Sequence, residues 1–128
     1  MTLLRTGIDL IEISRLDKLN PAIRARFLQR VYTDEELEDC RGQTSSLAGR
    51  FAAKEAVVKA LGCGIGQVAW KEVVIRRGDR GEPVLELLGN ARRIADEMGL
   101  NRWSLSISHS KEYAVALAVA MNDSQTVS

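Results

Sequence analysis

The stretch from Ser46 to Gly66 constrains this chain more than any other. Its middle reads Gly49-Arg50-Phe51-Ala52-Ala53-Lys54-Glu55-Ala56-Val57-Val58-Lys59-Ala60-Leu61-Gly62. Alanine, leucine, lysine and glutamate dominate, no proline interrupts, and Gly62 stands where a left-handed cap falls, so the run predicts a helix. At helical spacing Leu47, Phe51, Val58 and Leu61 form an apolar stripe, and Ala52, Ala53, Ala56, Val57 and Ala60 leave most of the remaining circumference apolar too. Such a helix is buried. Yet it carries Arg50, Lys54, Glu55 and Lys59, and a charge on a buried helix is costly unless it is paired, binds a metal or lines a cleft.

Glu55 and Lys59 are four residues apart and leave the helix on the same side. An ordinary helix ion pair of that kind, worth about 0.3 to 0.5 kcal/mol, is the favoured reading of such a pair in isolation, and the apolar surroundings shift the balance toward a site. Arg50 and Lys54, also four apart, cannot neutralise each other. Their anion must come from elsewhere, as a protein carboxylate or a ligand phosphate.

A chain of 128 residues, 45% of them hydrophobic, suits one domain with its own core, here residues 1–121, followed by a polar tail over 122–128 that is expected to fray. With 18 basic and 17 acidic side chains the net charge is +1, so no global field marks the chain as a nucleic-acid or membrane binder. No apolar run approaches the length of a membrane span. Cys40 and Cys63 lack metal or redox spacing and read as free thiols of a cytoplasmic protein.

Leu3 to Ile11 reads as a strand in which Gly7 and Asp9 share a face. Asp9, between Ile8 and Leu10, needs a partner; capping of the next helix and metal ligation both answer, and Gly7 permits close approach of a backbone or ligand. Two short helices follow, broken at Asn20-Pro21, with Arg15, Lys18, Arg24, Arg26 and Arg30 against Glu12 and Asp17. This local basic excess is either a solvated face or a docking patch for an acidic partner. Thr33 and Glu36 have capping-box spacing and open a helix to about Cys40, after which a polar loop leads to Ser45 or Ser46 as the cap of the central helix. Gly62-Cys63-Gly64-Ile65-Gly66 lacks the ending of a Walker loop and reads as a turn. Val73–Arg77 and Pro83–Leu87 form a hairpin, Gly89 to Met98 a helix ended by Gly99, and Trp103–His109 with Tyr113–Met121 a second hairpin.

His109, the only histidine, stands where a strand meets a turn. There is no zinc spacing and no Gly-x-Ser-x-Gly elbow. What remains is Asp9 and Glu55, several unneutralised cations and glycine turns, a set that suits a hard cation bridging to phosphate.

Three segments resemble the holo-acyl-carrier-protein synthases, small bacterial 4'-phosphopantetheinyl transferases: Gly7-Ile8-Asp9-Leu10-Ile11-Glu12, Arg50-Phe51-Ala52-Ala53-Lys54-Glu55-Ala56 through Lys59-Ala60-Leu61-Gly62, and Ser106-Ile107-Ser108-His109-Ser110. With the intervening strands and Gly81-Glu82-Pro83 the likeness spans about residues 3 to 121. It implies an α+β fold in which antiparallel hairpins pack with a long central helix and shorter ones. It also implies magnesium-dependent transfer of the phosphopantetheine arm of coenzyme A to a serine of apo acyl carrier protein, with release of adenosine 3',5'-bisphosphate. By the same resemblance Asp9 and Glu55 hold the metal, and Lys59 contacts the coenzyme A phosphates and completes the catalytic set. Arg50, Lys54 and His109 join Lys59 in binding coenzyme A, while Arg15, Arg26 and Arg30 dock the carrier protein. The family is typically homotrimeric with sites between subunits, which would explain a helix apolar on so many faces. Whether the carrier serves fatty-acid or polyketide synthesis is left open. The main alternative is a non-catalytic module of the same fold that binds coenzyme A or a carrier protein, against which the intact Asp9, Glu55 and Lys59 weigh, and a third reading is a purely structural trimeric scaffold.

Overall fold

In the computed structural model, which describes residues 3–123, the branched and apolar residues of Leu4–Glu12 form strand β1. Helices α1 (Ser14–Asp17) and α2 (Pro21–Val31) follow, the second capped by Asn20, whose side chain accepts from the Ala22 amide at 2.9 Å with Pro21 in the first turn. Helix α3 (Asp34–Cys40) starts on the Thr33–Glu36 capping box, with both reciprocal bonds made. The central helix α4 spans Thr44–Leu61 and ends on Gly62, which takes the left-handed φ of 73° that the cap needs. Its start differs from expectation. Gln43 is the cap residue and makes no side-chain bond, and neither Ser45 nor Ser46 caps. Instead Thr44 donates its hydroxyl to Asp17 at 2.9 Å and accepts from Arg24, so α1 and α2 anchor the helix start in place of a local cap.

A 3-10 turn (Trp70–Glu72) leads into β2 (Val73–Arg77) and β3 (Pro83–Leu87), then α5 (Gly89–Met98), β4 (Arg102–His109) and β5 (Tyr113–Met121). The two hairpins are as expected, but one pairing is non-local: β1 joins β5, giving an antiparallel sheet of order β1-β5-β4 beside the two-stranded β2-β3 sheet. Helix α4 lies against one face of the larger sheet. Small residues allow this: Ala114, Ala116, Ala118 and Ala120 are buried along β5, and a Cβ on Gly7 would collide with the Ala56 carbonyl. The glycine therefore serves the approach of a helix backbone.

The opposite face of that sheet is uncovered and, along β1 and β5, largely apolar. Leu4, Ile8 and Leu10 are 63%, 59% and 63% exposed, and Leu117 and Met121 stand across from Ile8 and Leu4 in register. Asn122 and Asp123 are held, contrary to the expected fraying: Asn122 donates to the Leu3 carbonyl at 3.0 Å, and Asp123 bonds to Asn101 and Arg102 at 2.8 Å. The rest of the expected tail, from Ser124, lies outside the described residues. No helix among the described residues is long and apolar enough to cross a membrane.

Candidate active site

The alternation of β1 puts Asp9 on the face that Gly7 presents to α4. Lys59 reaches back from the last turn of α4, donating to Asp9 Oδ1 at 3.2 Å and to the Ile8 carbonyl at 2.9 Å. Asp9 is thus not a helix cap; the residue before α1 is Ile13, with no side-chain cap bond. The lysine also declines the local pair: among the described residues its ion-pair partner is Asp9 and not Glu55. Glu55, half-buried, is left beside a second carboxylate. Burial first, then the charge of Asp9, raise its proton affinity above the ordinary carboxyl range, with Lys59 offsetting in part. The result is an electrostatically unsettled pair of carboxylates with one partly exposed cation, a site that favours the arrival of positive charge.

A second grouping occupies the other edge of the sheet. Arg50, 8% exposed, donates from Nε to the Ile75 carbonyl at 3.3 Å and lines a cavity of about 170 Å³ together with His109, Ser45, Ser46, Arg77 and Pro83. The cavity wall includes none of Asp9, Glu55 and Lys59. Asp9 sits on β1 and His109 ends β4, with β5 between them, so their strands run about 10 Å apart. One chain therefore assembles Asp9, Glu55 and Lys59 in one place, Arg50 and His109 in another, and does not join the two.

Lys54 goes elsewhere, which corrects its assignment to coenzyme A. It is 0% exposed, and its ammonium donates to Glu36 Oε1 at 2.9 Å, the Val73 carbonyl at 2.7 Å and the Trp70 carbonyl at 3.1 Å. An ammonium has three protons to donate, and all three are used inside the core. The physical reason is the helix face: Lys54 points at β2 and α3, where a buried carboxylate meets it.

Residues 5–118 match the family model for the 4'-phosphopantetheinyl transferase superfamily, known as ACPS. The chain belongs to this superfamily. Among relatives, the holo-[acyl-carrier-protein] synthase of Herpetosiphon aurantiacus is 44% identical over 126 residues, covering 93% of this chain and 99% of that protein. The synthase of Natranaerobius thermophilus is 44% identical over 120 residues, covering 91% and 96%. The crystal structure of the Helicobacter pylori synthase in complex with coenzyme A superposes with a TM-score of 0.81 at 32% identity, covering 90% of this chain and 98% of the other. The Bacillus anthracis synthase in complex with CoA (3',5'-ADP) gives 0.77 at 36% identity over 96% and 100%.

Within this transferase fold, the remaining expected residues lie on the surface. Arg15 on α1 and Arg26 and Arg30 on α2 are exposed, and Arg30 borders a cavity of about 200 Å³ with Ile65, Val68 and Trp70. Two residues of interest went unassigned in the sequence. Arg77 joins Arg50 at the cavity, and only its place at the end of β2, next to a glycine-bearing turn, hinted at a role. Glu36 was visible only as a capping-box member, although it is fully buried and ties α3 to both α4 and β2.

Proposed function

We propose that this chain transfers the 4'-phosphopantetheine arm of coenzyme A to a serine hydroxyl of apo acyl carrier protein, giving the holo carrier protein and adenosine 3',5'-bisphosphate. The observation that carries the reading is the meeting of Asp9 with Lys59, fifty residues apart in sequence, beside the half-buried Glu55.

The donor set fits magnesium. Asp9 and Glu55 offer hard oxygens, no cluster of three or more metal-ligating side chains occurs among the described residues, and magnesium takes one or two carboxylates while keeping sites for water and phosphate. Burial raises the proton affinity of Glu55 first and the charge of Asp9 adds to it, and a divalent cation would favour the ionised form against both. Such an ion, when bound, supplies neutralisation of charge on the diphosphate and the leaving bisphosphate. Asp9 and Glu55 hold it. Lys59, with a side chain 53% exposed, brings a further positive charge to the phosphates, and release from the Ile8 carbonyl leaves it free to follow them. Arg50 and His109 bind the nucleotide end of coenzyme A at their cavity.

Two features support a homotrimer with shared sites. The open face of the large sheet exposes Leu4, Ile8, Leu10 and Leu117, a surface that a second copy would cover. The two functional groupings sit on opposite edges of that sheet, so Asp9, Glu55 and Lys59 of one subunit complete a site with Arg50 and His109 of the next. Arg15, Arg26 and Arg30 form the docking surface for the acidic carrier protein, outside the chemistry. Unpaired Cys40 and Cys63 accord with a cytoplasmic enzyme.

Incubation with magnesium, coenzyme A and an apo carrier protein tests the activity. Mass spectrometry should show the carrier gaining the arm, with formation dependent on the metal. Binding of coenzyme A with no mass gain would identify a non-catalytic module instead.

A further inference from the structure

We propose that Glu36 is a positioning residue for coenzyme A, setting the Arg50 guanidinium at its cavity through Ile75. The proposal rests on the reading of Arg50 given above.

Glu36 is buried on α3 and is not among the residues lining the Arg50 cavity. Its two oxygens are committed in different directions. Oε1 accepts from Lys54 Nζ at 2.9 Å and from the Thr33 amide at 2.9 Å, while Oε2 accepts from the Ile75 amide at 2.8 Å. The carbonyl of that same Ile75 accepts from Arg50 Nε at 3.3 Å. Arg50 and Lys54, four apart on α4, therefore reach the same strand, one at Ile75 and the other at Val73, with the Glu36 carboxylate between them.

This geometry matters because a guanidinium is planar and presents its donors in fixed directions. Holding Nε on one carbonyl fixes the orientation of the plane beside the cavity that Arg50 lines. No carboxylate forms an ion pair with Arg50 among the described residues, so its charge remains available to a ligand. If Ile75 shifts, the guanidinium turns with it. Partners one step removed from a ligand-binding group commonly set its aim in this way.

A double-mutant cycle separates positioning from mere stabilisation. Glu36→Gln keeps the size but offers a single acceptor oxygen, so it cannot serve both the Ile75 amide and the Lys54 side. We expect it to raise KM for coenzyme A, and the calorimetric Kd of adenosine 3',5'-bisphosphate, by about threefold to tenfold, with kcat per folded enzyme and KM for the carrier protein unchanged. Arg50→Ala should weaken the bisphosphate by ~10-fold or more, and Glu36→Gln added to it should weaken binding no further. Should Glu36→Gln fail to fold, Glu36→Asp takes its place in the cycle, since it keeps the charge facing Lys54 while shortening the reach to Ile75. A lower melting temperature with unchanged Kd, or a loss that adds fully to that of Arg50→Ala, overturns the proposal. An unchanged Kd in Arg50→Ala alone overturns the coenzyme A reading of Arg50, and this inference falls with it.

Discussion

Helix α4 carries two lysines that each meet a carboxylate from another element, and the two meetings differ in what they leave over. Lys54 and Glu36 are both 0% exposed, 2.9 Å apart, and every donor and acceptor of the pair has a protein partner. Lys59 and Asp9 are 53% and 19% exposed, 3.2 Å apart, with Glu55 beside them and raised in proton affinity. The same residue types thus build a closed cluster and an open one. The closed cluster locks α3, α4 and β2 together. The open cluster keeps lone pairs, an accessible cation and unrelieved repulsion, which are the properties a metal and a phosphate can use.

The comparison is tested hardest by removing one acid from the open cluster. Asp9→Ala and Glu55→Ala should each lower transfer by about a thousandfold or more, with melting temperatures close to wild type, because each removes a proposed metal ligand and no core contact. Wild-type turnover in either variant at equal magnesium, read by carrier mass, would take that residue out of the site.

The closed cluster should respond in the opposite currency. Lys54→Ala leaves Glu36 charged, buried and unpaired, which destabilises by roughly 3 to 5 kcal/mol. Denaturant unfolding measures it. A loss below about 1 kcal/mol would mean that the cluster is not closed in solution.

In the proposed assembly the open cluster is also the one that depends on a neighbour. Leu117→Glu places a charge on the exposed sheet face, far from α4, and should dissociate the assembly and remove most transfer while leaving the monomer folded. Light scattering with circular dichroism gives both readouts, and a fully active monomer would contradict shared sites.

The smallest effect concerns pH at the open cluster. The folded-state proton affinity of Glu55 is raised, so ionising it disfavours the native state. That cost is absent below the ordinary unfolded carboxyl pKa of about 4.3, grows as pH rises toward the raised native value, and is complete above it. Glu55→Gln cannot ionise. In magnesium-free buffer at neutral pH it should melt about a degree or two above wild type, with the gap closing near pH 4, whereas Glu36→Gln should melt below wild type at neutral pH. A lower melting point for Glu55→Gln at neutral pH would show that the Glu55 charge is already satisfied by the protein.

Much of this was legible residue by residue. Alanine content and Gly62 determined α4, Thr33 and Glu36 determined the start of α3, and alternation determined both hairpins, because each signal is local to a few turns or strand positions. The need of Asp9, Arg50 and Lys54 for partners was also written in the sequence, since an unpaired charge in an apolar segment is costly wherever it falls. The identity of those partners was decided only by tertiary structure. Pairing of β1 with β5 brings Asp9 to Lys59 and draws the lysine away from Glu55, four residues off on its own helix. Docking of α3 and β2 gives Lys54 a protein carboxylate and leaves Arg50 a cavity, although both cations leave α4 on one side. Periodicity states which face a charge occupies. What stands opposite that face depends on contacts between segments far apart in the chain, and no local pattern encodes them.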